Sequence, residues 1–171
     1  MKKQPAATSV KSGVREKKGK RPQEGDFIQI KLDDRLYAYG RVLESPTLAF
    51  YDTNGELLED LNALLKSPIL FKIWVMKDAF KKPHWKLVGS LELEEVLTGR
   101  IWFFKKDSIS GELTLYSTHQ HKTIEKKATR NQCEGLECAA AWAASHVEDR
   151  LRDHHRGVPN KWVMSLKNEL N

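Results

Sequence analysis

The segment ILFKIWVMK, residues 69–77, is the most strand-like part of this 171-residue chain and decides its fold class. Its apolar side chains alternate so that a strand would have both faces covered, with Phe71, Ile73 and Val75 on one face and Leu70, Trp74 and Met76 on the other. Two apolar faces are typical of a strand in the interior of a sheet. The pattern therefore predicts a central strand with neighbours on either side.

Three shorter strand patterns precede this segment. They are GDFIQIKL from residue 25, LYAYGRVLE from residue 36, and a third pattern from Leu48 to Thr53. Asn54-Gly55 follows the third pattern and is the strongest two-residue hairpin signal in the chain. Leucines at helical spacing then predict a short helix, with Asp60 as its N-cap and its end before Ser67-Pro68.

Further strand patterns follow residue 77. They are Trp85–Gly89, RIWFFKK from residue 100 and GELTLYS from residue 111, and the loop DSISG would join the last two as a hairpin. The polar stretch His119–Lys127 predicts an irregular segment. Thr129 and Gln132 have the spacing of a capping box, which predicts a helix through the alanine-rich segment near Trp142.

The stretch SHVEDRLRDHHRGVPNKW, residues 145–162, predicts two short helices joined by a Gly-Val-Pro turn. Ser145 and Glu148 have the capping-box spacing at the start of the first helix, and Gly157 predicts its end. Asn160 is a suitable N-cap for the last helix. Two ion pairs are expected along the first helix, Glu148 with Arg152 and Arg150 with Asp153.

Strands therefore fill the first part of the chain and helices the last, an order typical of α+β proteins. We predict an α+β fold in which a twisted antiparallel sheet, or a partly open barrel, has C-terminal helices packed against it. No internal repeat or interdomain linker interrupts residues 24–171. This continuity predicts a single domain.

Residues 1–23 carry the positive charge of the chain. They hold eight of the 29 Lys and Arg and one of the 23 Asp and Glu, a net of +7, whereas residues 24–171 have a net of −1. Because this stretch has no aromatic and few large apolar residues, it predicts a disordered basic tail. A nucleic-acid-binding arm is the alternative, although no aromatic residue lies between the lysines to stack on bases.

The sequence indicates a cytoplasmic protein without membrane contact. No apolar run approaches the length of a membrane span, and the basic N-terminus lacks the apolar stretch of a secretory signal. Two cysteines, Cys133 and Cys138, do not make a disulfide framework, so a reducing compartment is the default.

Chemically active side chains occur without forming a recognisable catalytic or metal-binding set. His119 and His121 lack a third metal ligand, and Cys133 and Cys138 do not share one face of a helix. Arginines surround the remaining acid–base group, which favours ion pairing over pKa tuning: Asp149, Asp153, His154 and His155. No phosphate-binding loop or nucleophile elbow is present. We therefore predict a non-enzymatic function with no metal and no cofactor.

Five blocks occur in order along the chain: GDFIQIKL, YAYGRVLESPTLAFYD, SPILFKIWV, GELTLY and CEGLECAAAWAASHVEDRLRDHHRGVPNKWV. Together they resemble the immunity protein 26 family of bacterial polymorphic toxin systems. The resemblance runs from Gly25 to Val163, and its last block is the most distinctive. It implies a protein that binds and blocks a cognate toxin domain encoded by a neighbouring gene, without catalytic residues of its own.

Two groups of residues have the character of partner-binding anchors. Tyr37, Tyr39 and Arg41 share one strand face, and packing within the sheet is the alternative. The second group, for which a solvated helix is the alternative, comprises Arg150, Arg152, Asp153, Asn160, Lys161 and Trp162. Asp52 belongs to a set of carboxylates near predicted turns that would form a small acidic patch.

The leading hypothesis is thus stoichiometric inhibition of a toxin. The alternative is a nucleic-acid-associated binding module that uses a small β-barrel and the basic N-terminal arm. Nucleic acid is the less favoured partner, because the charge lies in the tail and not in the predicted domain. The oligomeric state is not predicted.

Overall fold

A computed structural model of the protein describes residues 21–168 and 170. Ten strands lie in this part of the chain: β1 (Asp26–Lys31), β2 (Tyr37–Val42), β3 (Thr47–Tyr51), β4 (Ile69–Val75), β5 (Trp85–Ser90), β6 (Phe103–Lys106), β7 (Leu113–His119), β8 (Lys122–Lys127), β9 (Glu137–Cys138) and β10 (Ala141–Trp142). Its α-helices are α1 (Arg130–Cys133), α2 (Ala144–Arg156) and α3 (Lys161–Asn168). Short 3-10 helices lie between strands at Leu61–Lys66, Lys77–Lys81 and Glu95–Leu97.

Six strands form the larger sheet, in the order β10-β4-β3-β2-β1-β5. The strands pair antiparallel except β10, which lies parallel to β4 over two residues. The prediction that β4 is an interior strand is confirmed, because β3 and β10 flank it. Met76 lies beyond the end of β4 and is half exposed.

Both faces of the six-stranded sheet are covered. One face packs Ile28, Phe50 and Ile73 against Val147 and Leu151 of α2. The opposite face is covered by two connections that contain 3-10 helices, β3–β4 and β5–β6, through Leu58, Leu61, Leu64, Leu91, Leu93 and Leu97. The sheet is therefore a middle layer, and its strands contribute buried residues from both faces.

The smaller sheet has four strands in the order β8-β7-β6-β9. The β6–β7 hairpin was predicted and is confirmed. The expectation that residues 119–127 are irregular is wrong, because β8 pairs with β7 along six residues. The two-residue loop Gln120-His121 has φ angles of 49° and 61°, which a tight hairpin requires.

Two local predictions were wrong, the hairpin at Asn54-Gly55 and the capping box at Ser145, and the helix predicted after Thr129 is much shorter than expected. Asn54-Gly55 does not close a hairpin, since the connection from β3 to β4 runs through residues 52–68, and the Gly55 carbonyl instead accepts a hydrogen bond from the Tyr37 amide. The Ser145 capping box does not form, because α2 begins one residue earlier with Ala143 as its N-cap. The capping box at Thr129 does form, but its helix α1 has four residues and the alanine-rich segment continues as β9 and β10.

Other predicted ends are confirmed. Asp60 caps the 3-10 helix that follows it, Gly157 ends α2 in the left-handed conformation, and Asn160 caps α3. The α+β class is confirmed as well: the sheets are open, and the C-terminal helices pack against them. The predicted tail, residues 1–23, lies outside the described residues as far as residue 20.

Candidate functional site

The first predicted anchor group lies mostly in the interior. The side chains of Tyr39 and Arg41 are fully buried, and Tyr37 is half-buried. The Tyr39 hydroxyl accepts hydrogen bonds from the Leu58 amide at 2.8 Å and from Gln29 Nε2 at 3.3 Å. Burial raises the pKa of Tyr39. Sheet packing thus accounts for Tyr39 and Arg41, which cannot touch a partner in this fold.

Arg41 fastens a connection to the six-stranded sheet. Its guanidinium donates to the carbonyls of Leu91 and Glu92, both at 2.9 Å, and lies 3.7 Å from Glu94 Oε2. The same group lies over the Phe27 ring at 3.8 Å. Burial lowers the pKa of Arg41. A cation held in this way orders the chain between β5 and β6.

On the other side of the sheet, Glu148 of α2 has the corresponding role. Its Oε1 accepts from His84 Nε2 at 2.8 Å and from Trp85 Nε1 at 2.9 Å, while Oε2 lies 3.4 Å from Arg152. The ion pair with Arg152 confirms the predicted one. Arg152 also donates to the carbonyl of Leu32 at 3.0 Å. These bonds attach α2 to the β1 and β5 side of the sheet.

Arg150 does not pair with Asp153 as predicted. Its two terminal nitrogens bind Glu137 of β9 at 2.6 and 3.0 Å, and its guanidinium lies over the rings of Phe71 and Trp142. A bidentate pair of this kind has fixed geometry. Arg150 therefore joins α2 to both sheets, and it contributes to architecture more than to an open surface.

The turn between α2 and α3 is stabilised by hydrogen bonds of the Asn160 side chain. Asn160 is buried, donates to Asp153 at 2.9 Å, and accepts from the amide nitrogens of Trp162 and Val163 at 3.1 Å. These contacts explain why Asn160 and Asp153 stand at these positions. Neither side chain offers more than a small part of its surface to a partner.

Trp162 and Lys161 form the outward part of this helix junction. The Trp162 indole stacks on His146 at 3.6 Å between ring centroids and donates to Asp149 Oδ2 at 3.2 Å. The ammonium group of Lys161, which is exposed, lies 4.6 Å from the centre of the indole ring. A small cavity of about 140 Å³ adjoins the stacked rings, with Ala141, Trp142, His146, Trp162 and Leu166 in its lining.

Asp52 meets α2 instead of other carboxylates. Its Oδ1 lies 2.9 Å from Nε2 of His154, and both side chains are partly exposed. The neighbouring His155 is more buried than His154. Burial is the main cause that lowers the pKa of His155, and the nearby His154 lowers it further. The Asp52 carboxylate therefore pairs with a residue of α2.

No group of three or more potential metal ligands occurs among residues 21–168 and 170. His119 Nδ1 lies 3.2 Å from Glu44, so this imidazole serves a pair between β7 and the β2–β3 turn. The thiols of Cys133 and Cys138 are buried beside Phe104, and burial raises the pKa of Cys133. A raised pKa disfavours the thiolate that a nucleophile or a metal ligand requires.

The four-stranded sheet carries a group of cation–aromatic contacts that the sequence pattern did not identify. Lys126 lies 4.9 Å from the Trp102 ring centre, Arg100 lies 5.9 Å from the same ring, and Lys105 lies 3.5 Å from that of Tyr116. All six residues of β8 are exposed. Its sequence, KTIEKK, has a single large apolar residue, Ile124, so no apolar alternation could have predicted this strand.

Fold and polar contacts together define a small α+β protein, whose buried and half-buried charged residues mostly connect its elements to one another. The chain belongs to the immunity protein 26 family, whose sequence model matches residues 23–114. This match spans β1 to β6 and the start of β7. It does not reach residues 133–163, the block expected to be the most distinctive part of the resemblance, so that part stays a prediction. No curated protein and no solved structure matches the chain. Membership implies an immunity role in bacterial toxin systems.

Within residues 21–168 and 170, no helix is long and apolar enough to cross a membrane. The longest, α2, has 13 residues and a mainly charged sequence. Its buried residues, which include Val147 and Leu151, face the larger sheet.

Proposed function

We propose that this protein neutralises a cognate toxin domain by binding it stoichiometrically in the cytoplasm, without catalysis. The observation that carries the proposal is the family match over residues 23–114, which covers most of the six-stranded sheet. The internal bonding of Arg41, Glu148 and Arg150 is consistent with it, because a rigid surface loses little conformational entropy on binding.

Among the residues predicted for partner contact, we assign the surface role to Lys161, Trp162 and Asp52, whose side chains are exposed or partly exposed. Trp162 is the strongest anchor of these, since a rigid indole beside a small cavity suits a central contact. Arg150, Arg152, Asp153 and Asn160 support this surface from beneath. Tyr37 is left as a half-buried residue without a proposed role.

The test is co-expression with the toxin domain encoded by the neighbouring gene. We expect the chain to restore growth of cells that produce the toxin, and to elute with the purified toxin as a complex of fixed stoichiometry in size-exclusion chromatography. Trp162→Ala should weaken the complex more than the control Lys77→Ala. Lys77 is exposed and is distant in sequence from Trp162. Absence of both protection and complex formation would contradict the proposed function.

A nucleic-acid-binding module is the second candidate, and the position of the cations Lys126 and Arg100 near the Trp102 ring favours it, because single-strand binders combine positive charge with aromatic rings. Deletion of residues 1–23 separates the candidates. A nucleic-acid module should lose affinity and part of its salt dependence without the basic residues. An immunity protein should retain its complex with the toxin.

A further inference from the structure

The outer edge of β8 is an uncovered strand edge. β8 is the terminal strand of the four-stranded sheet, and all six of its residues are exposed. The Ala128 amide bonds to the Leu113 carbonyl, and the β7–β8 register then points the N–H and C=O groups of residues 122, 124 and 126 towards β7. The backbone groups of Thr123, Glu125 and Lys127 consequently point outwards, where a further strand could pair with them.

The two faces of β8 differ in their charge balance. On one face the positive and negative groups neutralise each other, since Glu125 pairs with Lys105 and Lys127 pairs with Glu112. The other face carries Lys122, Ile124 and Lys126. Within residues 21–168 and 170, no carboxylate lies within ion-pair distance of either of these lysines.

Two residues next to this face, Trp102 and Arg100, contact its lysines, and Arg100 adds a further positive charge. Trp102 lies under the ammonium group of Lys126. Arg100 donates to the carbonyls of Ser117 and Lys122 at 3.3 and 3.2 Å. These partners are neutral, and Arg100 has no carboxylate partner in the described chain. The face thus presents three cations and the side chain of Ile124, which is 41% exposed.

We infer that the outer edge of β8 docks an extended acidic segment of the toxin as an added strand of the four-stranded sheet. This inference rests on the proposed function. The outward backbone groups supply strand pairing, and Lys122 and Lys126, about 13 Å apart along the strand, select carboxylates four positions apart in the partner. Ile124, between the two lysines, provides an apolar contact at the centre.

Lysines on an edge strand also have a protective role, because they discourage pairing with other copies of a chain. That role needs charge of either sign, whereas recognition of an acidic segment needs positive charge. Reversal of the charges therefore separates the two explanations. Removal of a single outward-pointing backbone N–H group tests strand pairing independently of charge.

The experiment uses the full chain and the toxin domain from the neighbouring gene, with affinity measured by calorimetry at several salt concentrations. Lys122→Glu/Lys126→Glu should weaken binding by about tenfold or more and reduce its dependence on salt. The matched control is Lys66→Glu/Lys77→Glu, which makes the same change in net charge at exposed positions outside the four-stranded sheet. This control should bind the toxin like the unmodified chain.

For the backbone, Glu125→Pro is compared with Glu125→Ala. Both variants lose the ion pair with Lys105, but only proline removes the outward N–H group, so the proline variant should bind several-fold more weakly. Circular dichroism and thermal unfolding establish that each variant is folded. If Glu125→Pro does not fold, the charge-reversal pair carries the test alone.

The outcomes are distinct. If the unmodified chain binds no toxin, the proposed function fails and the docking inference fails with it. If the chain binds toxin and the Lys122→Glu/Lys126→Glu variant binds equally well, only the docking inference is overturned, and the lysines are edge protection. Preferential binding of a 20-nucleotide single strand, lost in the same variant, would assign this face to nucleic acid and also overturn the inference.

Discussion

The two sheets differ in how their charged side chains are used. Around the six-stranded sheet, the buried charged side chains bind partners within the chain, whereas the cations of β8 in the four-stranded sheet are exposed. Arg41 and Glu148 lie on opposite faces of the larger sheet, and each binds several backbone or side-chain groups. Lys122 and Lys126 have no such carboxylate partner in the described chain. The difference separates charges that maintain the fold from charges that are available for recognition.

The largest effect should follow from Arg41→Ala, which would test whether the buried charge maintains the larger sheet. Its removal leaves the carbonyls of Leu91 and Glu92 without their donor and Glu94 without its cation. We expect a loss of about 3 kcal/mol in the free energy of unfolding, measured in urea. Arg41→Met keeps most of the volume and should cost less. If the free energy of unfolding falls by less than it does for an average surface substitution, Arg41 does not maintain the larger sheet.

Glu148→Ala should have the next largest effect, about 2 kcal/mol, because it leaves the buried Trp85 N–H and the Arg152 guanidinium without their acceptor. Glu148→Gln keeps an acceptor oxygen and should cost less. For comparison, Lys122→Glu/Lys126→Glu should change the unfolding free energy by only about 0.5 kcal/mol. Equal losses of unfolding free energy in Glu148→Ala and in Lys122→Glu/Lys126→Glu would contradict the distinction between the two sheets.

The strands of the larger sheet were predictable because they are apolar on both faces, and residues 69–75 are the clearest example. The burial of Tyr39 and Arg41 was not predictable, because no pattern in the sequence shows that the connections containing the 3-10 helices at Leu61–Lys66 and Glu95–Leu97 fold over this face of the sheet. A pattern on one strand says which residues share a face, but not what covers that face.

Local rules also failed where tertiary contacts override them. Ser145 and Glu148 have the spacing of a capping box, yet Glu148 bonds to His84 and Trp85 across the sheet, and the helix starts at Ala144. The alanine-rich segment favours a helix, but Ala141-Trp142 pairs with Trp74 and Val75 as β10. Strand β8 escaped prediction because pairing with β7, and not an apolar face, holds it.

Asn160→Ala tests the attachment of α3, which packs beside both sheets. Loss of the cap leaves the amide nitrogens of Trp162 and Val163 without their side-chain acceptor, and Asp153 without its donor. We expect a loss of about 1 kcal/mol in urea unfolding. Asn160→Ser retains a capping oxygen and should recover part of it. No difference between the serine and alanine variants would mean that the cap contributes nothing.

The smallest effect concerns Glu44, which joins the two sheets. Its carboxylate accepts from the amide nitrogens of Gln120 and His121 and from His119 at the β7–β8 turn. Burial raises the pKa of Glu44, but these hydrogen bonds and the imidazole outweigh it, so the net pKa is lowered. The folded state therefore prefers the charged form, and this contribution to stability is present above the unfolded pKa and lost as pH falls through the folded one.

Glu44→Gln should consequently lower the unfolding free energy at neutral pH, by less than about 1 kcal/mol because the group is partly exposed, and the deficit should disappear in acid. Urea unfolding of both proteins between pH 7 and pH 3 measures this. His119→Gln removes the imidazole but leaves both backbone donors, so that variant should keep most of the pH dependence. A deficit that persists unchanged at pH 3 would show that the charge of Glu44 does not stabilise the connection between the two sheets.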